Sequence, residues 1–214
     1  MSIPRVVIVG SGGHAKVIAD ILETNAEYAI AGFTSPSPDD ALYGYPHLGS
    51  DEELPRIFAR GIQFAFIAIG SNRIRFRKLE ELNETGFRLI NAVSNRAVVS
   101  ARAHLGRGVA IMPGAVINTE TIVEDGAVIN TGATVDHEGR IGVCAHIAPG
   151  AHLAGNVVVG EGSFLGVGSS VIPGIRIGKW VTVGAGGAVI RDIPDGATTV
   201  GVPARRFLAG AGPA

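Results

Sequence analysis

The spacing of apolar residues divides the chain into two parts. From residue 97 to residue 192 a branched aliphatic residue stands at the third position of every six-residue block, sixteen times in succession. The first position is mostly small, and glycine recurs at the sixth. A period of six fits no helix, and it predicts one short strand per block, with the aliphatic side chain in a narrow core and glycine at each corner. We therefore predict a β-solenoid over 97–192.

Before residue 95 the pattern is typical of a small parallel α/β sheet, in which strands alternate with helices. Strands are predicted over 5–9, 28–33, 64–69 and 87–93, and helices over 15–22 and 74–85, the second ended by Gly86. The predicted fold is thus α/β plus β-solenoid. Its two domains are a Rossmann-like domain over 1–94 and a solenoid domain with a C-terminal tail over 95–214.

Composition excludes several classes of function. The net charge is −1 and the longest basic run is Arg205-Arg206, so nothing indicates binding to nucleic acid. No apolar run is long enough to span a membrane, and the N-terminus does not resemble a signal peptide. The single cysteine, Cys144, excludes an internal disulfide and is expected to be a small buried residue. We expect a cytoplasmic protein without membrane insertion.

A glycine-rich turn follows the first strand. The residues from Gly10 to Ala15 fit the pattern G-x-G-x-x-G/A between a strand and a helix, where backbone amides and a helix N-terminus can bind a phosphate. The acidic residue expected about twenty positions later is missing, because the second strand leads into Thr34 and Ser35, and this disfavours NAD. A tight turn without a ligand is the alternative.

Histidines interrupt the solenoid pattern. His137 and Glu138 end a block, at a corner from which side chains can project outward. His146 is second in its block, beside the inward-facing Ile147, and should face outward from the solenoid. His152 has the equivalent place one block later, where an ordinary surface residue is expected. From the residues alone, His137 and Glu138 are equally well a solvated corner pair.

Four segments in order resemble the NeuD/PglD branch of the hexapeptide-repeat acyltransferases, which are bacterial sugar acetyltransferases. They are 9–14, 68–75, 135–138 with His146, and 200–205. The resemblance implies a left-handed β-helix of triangular section with three blocks per coil. It also implies a homotrimer, with acetyl-CoA as co-substrate in the groove between neighbouring subunits and a nucleotide-linked amino sugar on the Rossmann-like domain.

The resemblance also implies roles for particular residues. His137 would be the general base that takes the proton of the sugar amine, and Glu138 would increase its basicity. The residues implied in the acetyl-CoA site are His146, Gly155, Gly166, Val167 and Ala185, and those implied around the nucleotide sugar are Gly12, Gly13, His14, Thr34, Ser35, Ile69 and Gly70. Many relatives have an acidic pair at the positions of Thr34 and Ser35, so the base and the sugar stay open.

The leading hypothesis is an N-acetyltransferase that moves acetyl from acetyl-CoA to the 4-amino group of a nucleotide-linked 4-amino-4,6-dideoxy sugar. Direct attack in a ternary complex is expected, because no serine or cysteine nucleophile is indicated. The alternatives are an O-acetyltransferase of the sialic-acid type, a trimeric zinc hydratase using His137, His146 and His152, and a non-catalytic nucleotide-sugar-binding scaffold. Zinc is disfavoured because His146 and His152 should lie on different faces of a three-block coil, and no metal site is predicted.

Overall fold

The first part of the chain folds as predicted, into a parallel sheet with helices. The structure, a computed structural model, describes residues 3–207; residues 1–2 and the predicted tail over 208–214 lie outside them. The sheet has the order β2-β1-β3-β4. Its elements are β1 (Arg5–Val9), α1 (Gly13–Asn25), β2 (Ala29–Thr34), a 3-10 turn (Asp51–Glu53), α2 (Leu54–Ala59), β3 (Phe64–Ile67), α3 (Asn72–Thr85) and β4 (Arg88–Leu89).

The ends of α3 follow from local sequence. The Ser71 side chain caps the N-terminus by accepting a hydrogen bond from the backbone N–H of Ile74 at 3.5 Å, so the helix begins at Asn72, two residues earlier than predicted. Gly86 ends the helix in the left-handed conformation, with φ 92°. The capped end of α3 thereby lies directly after the loop that leaves β3.

The solenoid has three sheets, one for each side of a prism, and successive strands of a sheet come from successive coils. Sheet I contains β5 (Ala92–Val93), β8 (Ala110–Ile111), β11 (Val128–Ile129), β14 (His146–Ile147), β17 (Phe164–Leu165), β20 (Thr182–Val183), β22 (Thr198–Val200) and β23 (Arg205–Arg206). Sheet II contains β6 (Val98–Val99), β9 (Val116–Ile117), β12 (Thr134–Val135), β15 (His152–Leu153), β18 (Ser170–Val171) and β21 (Ala188–Val189). Sheet III contains β7 (His104–Leu105), β10 (Ile122–Val123), β13 (Arg140–Ile141), β16 (Val158–Val159) and β19 (Arg176–Ile177).

The predicted strand over 87–93 is in fact two strands in different sheets. β4 closes the α/β sheet, whereas β5 pairs with β8 of the solenoid. Between them the Asn91 side chain donates to the Gly106 carbonyl and accepts from the Val109 N–H, at 2.8 and 2.9 Å. Solenoid pairing therefore begins at Ala92, earlier than the predicted range.

The corner positions confirm the expected role of glycine at block ends. Every sixth position from Gly108 to Gly186 has a positive φ, between 52° and 76°. Left-handed backbone is easily adopted by glycine and is unfavourable for other residues. The exceptions that are not glycine are Glu120, Glu138, Cys144, Asn156 and Trp180. Three of them, Glu138, Cys144 and Trp180, belong to the contacts described below.

The last coil departs from the six-residue spacing. Regular coils pair residues eighteen positions apart, as Asn118 with Asp136, whereas the last coil brings Arg176 to Asp192, sixteen positions apart. Ile193 accordingly pairs with Ile177. The ladder therefore continues past residue 192, with a corner that is two residues shorter.

The α/β unit packs on the first coils of sheet I. Ala92, Ala110, Met112 and Val128 share one buried cluster with the apolar face of α1. The aliphatic third positions form a separate core inside the prism. Within residues 3–207, no helix has both the length and the apolar character needed to cross a membrane.

Candidate active site

His137 lies at the edge of the prism between sheets II and III, which we call edge II/III. Its side chain is 53% exposed, and its Nδ1 is 3.0 Å from Oε2 of Glu138. An ionised carboxylate can only accept a hydrogen bond, so Nδ1 carries the hydrogen and Nε2 keeps its lone pair. The pair thus presents an exposed nitrogen that can accept a proton.

The neighbouring residues hold the His137 backbone and ring. Oδ1 of Asp136 accepts from the His137 N–H and from Nδ2 of Asn118, each at 2.8 Å. These hydrogen bonds, that from Asn118 first, lower the pKa of the Asp136 carboxyl. One coil further along the edge, a Cβ at Gly155 would overlap the His137 ring. Gly155 therefore leaves the space in which the imidazole lies.

His146 has a very different environment on sheet I. It faces outward from the prism, as expected, but the α/β unit covers it, and only 9% of it is exposed. Nδ2 of Asn130 donates to Nε2 at 3.0 Å, so Nδ1 carries the hydrogen, and the ring meets Phe164 edge-on. Burial, and then the charge of Arg75, lower the pKa of His146 to about 3. His146 is therefore neutral near pH 7.

Nδ1 of His146 is a buried donor that has no hydrogen-bond partner among residues 3–207. The Gly70 carbonyl lies close enough to His146 to favour the protonated ring, which opposes the lowering of its pKa. Even so, no acceptor within residues 3–207 meets Nδ1 with hydrogen-bond geometry. Buried polar atoms normally have partners, so an unpaired donor marks a place where a ligand atom could accept. His146 is suited to bind an acceptor.

The glycine turn leaves the N-terminus of α1 free. Gly12 and Gly13 are exposed, with open space where a side chain would be, and the first turn of α1 has no acidic residue. His14 follows them, and its buried Nε2 has no hydrogen-bond partner in the part of the chain that the structure describes. Burial, and then the charge of Arg75, lower the pKa of His14 to about 4. Free amides at the positive end of a helix can bind an anion such as a phosphate.

The side chains of Thr34 and Ser35 make hydrogen bonds within the α/β unit. Both residues are fully buried. The Thr34 hydroxyl donates to Oδ1 of Asp51 at 2.7 Å, and the Ser35 hydroxyl donates to the Ser37 carbonyl at 3.1 Å. These hydrogen bonds hold the end of β2, and the place of both residues in the nucleotide-sugar site stays a prediction.

Asp40 is a candidate that the sequence analysis missed. Its Oδ2 accepts from the Ser11 hydroxyl at 2.8 Å, which brings a carboxylate to the glycine turn. The hydrogen bond from Ser11 is the main cause that lowers the pKa of Asp40, so it is ionised near pH 7. Asp40 lies on the loop after β2, and only the folded path of this loop brings it back to the glycine turn. No motif in the sequence indicated it.

Ile69 and Gly70 lie at the end of β3, next to the glycine turn. A Cβ at Gly10 would be 2.8 Å from the Ala68 carbonyl oxygen and 3.3 Å from Cγ1 of Ile69. The loop after β3 therefore packs closely against the glycine turn.

Beyond Gly70, the start of α3 and the solenoid together line an open cleft of about 280 Å³. Its lining residues are Gly70, Ser71, Asn72, Arg73, Gly162, Phe164, Trp180 and Thr182. Arg73 stacks over the Trp180 ring at 4.7 Å, a contact that no sequence motif indicated.

Of the residues expected around acetyl-CoA, His146 lies on sheet I and the other four lie on two edges. Gly166, Val167 and Ala185 are on edge I/II, where a Cβ at Gly166 would be 2.7 Å from the Ala185 nitrogen and where Val167 is 54% exposed. Gly155 is on edge II/III with His137. Edge II/III is opposite sheet I. Within a single subunit, His137 is therefore on the other side of the prism from His146 and the glycine turn. Residues 3–207 contain no group of three or more His, Cys, Asp or Glu placed to hold a metal ion.

Known proteins similar to this chain have the same two-part architecture. The model for the PglD N-terminal domain matches residues 5–82. PerB of Caulobacter crescentus, solved with CoA and GDP-perosamine, is 45% identical with a TM-score of 0.92, over 97% of this chain and 99% of its own. This chain belongs to the NeuD/PglD-like hexapeptide acetyltransferases.

Two further structures extend the comparison within this family. The acetyltransferase domain of PglB from Neisseria gonorrhoeae, in complex with acetyl coenzyme A, is 34% identical over 96% of this chain and all of that one, with a TM-score of 0.91. WeeI of Acinetobacter baumannii, at 24% identity and a TM-score of 0.86, covers 94% of this chain and 99% of its own. WeeI supports the fold alone. The α/β plus β-solenoid architecture is therefore that of the NeuD/PglD-like acetyltransferases.

Proposed function

We propose that this chain transfers acetyl from acetyl-CoA to the 4-amino group of a nucleotide-linked 4-amino-4,6-dideoxy sugar. The observation that carries the proposal is the exposed pair of His137 and Glu138, which leaves Nε2 free to accept a proton. GDP is the favoured nucleotide, because the 45% identical relative is in complex with GDP-perosamine. Acetyl-CoA is the co-substrate, as its occurrence in the PglB structure supports.

In the proposed reaction the sugar amine attacks the thioester carbonyl directly. Nε2 of His137 takes the proton that the amine loses as the amide bond forms, the C–S bond breaks, and CoA leaves as a thiolate that becomes the thiol by taking this proton from His137. A positioned base contributes about 10²- to 10⁴-fold in rate. Glu138 holds the hydrogen on Nδ1, so the imidazole stays in the tautomer that can act as a base.

The nucleotide end of the substrate is proposed to bind at the α/β unit. The amides of Gly12 and Gly13 face the diphosphate at the N-terminus of α1, with His14 beside them. Asp40 offers a carboxylate to a hydroxyl or N–H donor of the nucleoside, in place of the acidic residue absent after β2. Ile69, Gly70 and His146 line the path from there towards the sugar.

A complete site on this proposal needs more than one subunit. His137 and the glycine turn lie on opposite sides of the prism, and the residues expected around acetyl-CoA are divided between edges I/II and II/III. A homotrimer would bring edge II/III of one subunit to the substrate-binding side of the next, with acetyl-CoA between them. The proposed trimer is expected to act in the cytoplasm, where acetyl-CoA and nucleotide sugars are made.

The test is a transfer assay with purified protein, acetyl-CoA and GDP-, UDP- and dTDP-linked 4-amino-4,6-dideoxy sugars. The expected product is an N-acetyl sugar that survives hydroxylamine, which cleaves acetyl esters but not amides. A hydroxylamine-sensitive product would identify an O-acetyltransferase. Nucleotide-sugar binding without transfer to any amine would identify the non-catalytic scaffold, and either result would refute the proposal.

A further inference from the structure

Arg75 on α3 is a buried cation without an acidic partner. The residue is 1% exposed, and none of the ion pairs among residues 3–207 includes it. Its five N–H groups are nevertheless all used. Nε donates to the Gly126 carbonyl at 2.8 Å, Nη1 to the carbonyls of Ile69 and Gly70 at 2.9 and 3.2 Å, and Nη2 to Oδ1 of Asn72 and the Cys144 carbonyl, both at 2.8 Å.

Joining two surfaces does not by itself call for this arrangement. Removing a charge from water is unfavourable, and its hydrogen bonds here are to neutral groups only. An apolar side chain of similar volume would join the α/β unit to the solenoid without that cost. What distinguishes the guanidinium is its rigid, planar set of donors, which can hold several carbonyls in one fixed arrangement.

The carbonyls that Arg75 holds belong to two different parts of the molecule. Ile69 and Gly70 form the loop after β3, whereas Gly126 and Cys144 lie on successive coils of edge III/I. Asn72 continues the contact to the next coil, because its Nδ2 donates to the carbonyls of Gly162 and Ser163, at 3.0 and 3.1 Å. The first turn of α3 therefore ties the loop after β3 to three coils.

We propose that Arg75 is a positioning residue for the nucleotide-sugar site, which fixes the loop at Ile69 and Gly70 at one distance from His146 on the solenoid. The inference rests on the proposed function, in which this loop and His146 line the substrate path. The same charge contributes, after burial, to the lowered pKa values of His14 and His146. Both imidazoles thus stay neutral beside the substrate.

The test compares Arg75→Met and Arg75→Lys with Arg77→Met, a change of an exposed arginine on the same helix. Titration calorimetry measures the Kd of GDP and of CoA, and kinetics measure KM and kcat for the nucleotide sugar. We expect Arg75→Met to weaken GDP binding and raise KM for the sugar at least tenfold, with less than a twofold change for CoA. Arg75→Lys keeps the charge but has only three donors, so its effect should be intermediate.

A purely structural role predicts a different result. Folded variants with a lower Tm but with Kd and KM values equal to those of Arg77→Met would overturn the proposal. If Arg75→Met does not fold, Arg75→Lys and Asn72→Ala, which removes the bonds to Gly162 and Ser163, decide the question by the same measurements. Calorimetry does not depend on turnover, so wild-type protein that binds GDP but transfers no acetyl would refute the proposed function and not this inference.

Discussion

His137 and His146 are only nine positions apart in the chain, but they lie in opposite kinds of environment. His137 is half exposed at edge II/III, with a carboxylate on one ring nitrogen and the other nitrogen free. His146 is buried under the α/β unit, with a pKa of about 3 and an unpaired Nδ1 donor. The first presents a free acceptor nitrogen to solvent, whereas the second stays neutral, with Nε2 already accepting from Asn130 and only Nδ1 left to donate. This contrast supports the proposal that His137 transfers the proton and that His146 binds a ligand.

The largest effect should come from His137→Ala. Removing the base leaves the amine proton without an acceptor, so kcat should fall about 10²- to 10⁴-fold. Binding of GDP and CoA should stay within a few-fold of wild type, because His137 is not among the residues proposed to contact either of them. His152→Ala, which changes an exposed histidine on sheet II, is the matched control. Retained turnover in His137→Ala would remove the assignment of the base.

Gly155→Ala should lower activity by displacing the His137 ring. The added Cβ would overlap the His137 ring, so the imidazole must turn away from its present place. Because small misplacements of reacting groups are costly, we expect kcat to fall about 10- to 100-fold. In the His137→Ala background the substitution should have little further effect on kcat. Additive losses in the double variant would show that Gly155 acts independently of His137.

The buried histidines should make stability depend on pH. The pKa values of His14 and His146 in the folded protein, about 4 and about 3, are below the value of 6.5 for an unfolded chain. Between these values only the unfolded state is protonated, so stability is complete above pH 6.5 and is lost as the pH falls. At pH 5.5 each histidine should cost about 1.4 kcal/mol relative to pH 7.5.

Urea unfolding at both pH values, at one protein concentration, measures this loss. The variant His14→Gln with His146→Gln should lose less stability on acidification, whereas His104→Gln, at an exposed site, should behave as wild type. Equal losses in all three proteins would contradict the contrast drawn between exposed and buried histidines.

The smallest effect is expected from Asp40→Asn. The amide keeps the shape of the side chain but replaces a charged acceptor, so a donor on the nucleoside binds less strongly. GDP binding should weaken about threefold to tenfold, and CoA binding should not change. Asp39→Asn, on the neighbouring exposed residue, is the control. If calorimetry gives both variants the GDP affinity of wild type, Asp40 does not contact the nucleoside.

Local sequence was enough to predict the solenoid, and it was less reliable at the ends of the solenoid. The six-residue period predicted the strands and corners, because each coil repeats the same short-range demands for an aliphatic core residue and a left-handed corner. It did not predict the early start at Ala92 or the short corner before Ile193, where the pattern is too brief to be recognised. The roles of His137 and Glu138 were predicted by family resemblance, and from the residues alone they remained ambiguous.

Only the tertiary structure decided which side chains meet across the two parts of the chain. Nothing near Arg75 in the sequence indicates that it binds carbonyls 51 and 69 positions away, or that the α/β unit covers His146. Asp40 reaches Ser11 through a loop, while Thr34 and Ser35 turn inward. A repeat determines its own geometry through contacts between neighbouring coils. The burial of Arg75 and the lowered pKa values of His14 and His146 depend instead on the packing of segments that are distant in the chain. The sequence therefore determined the scaffold, and packing determined the surroundings of the proposed substrate site.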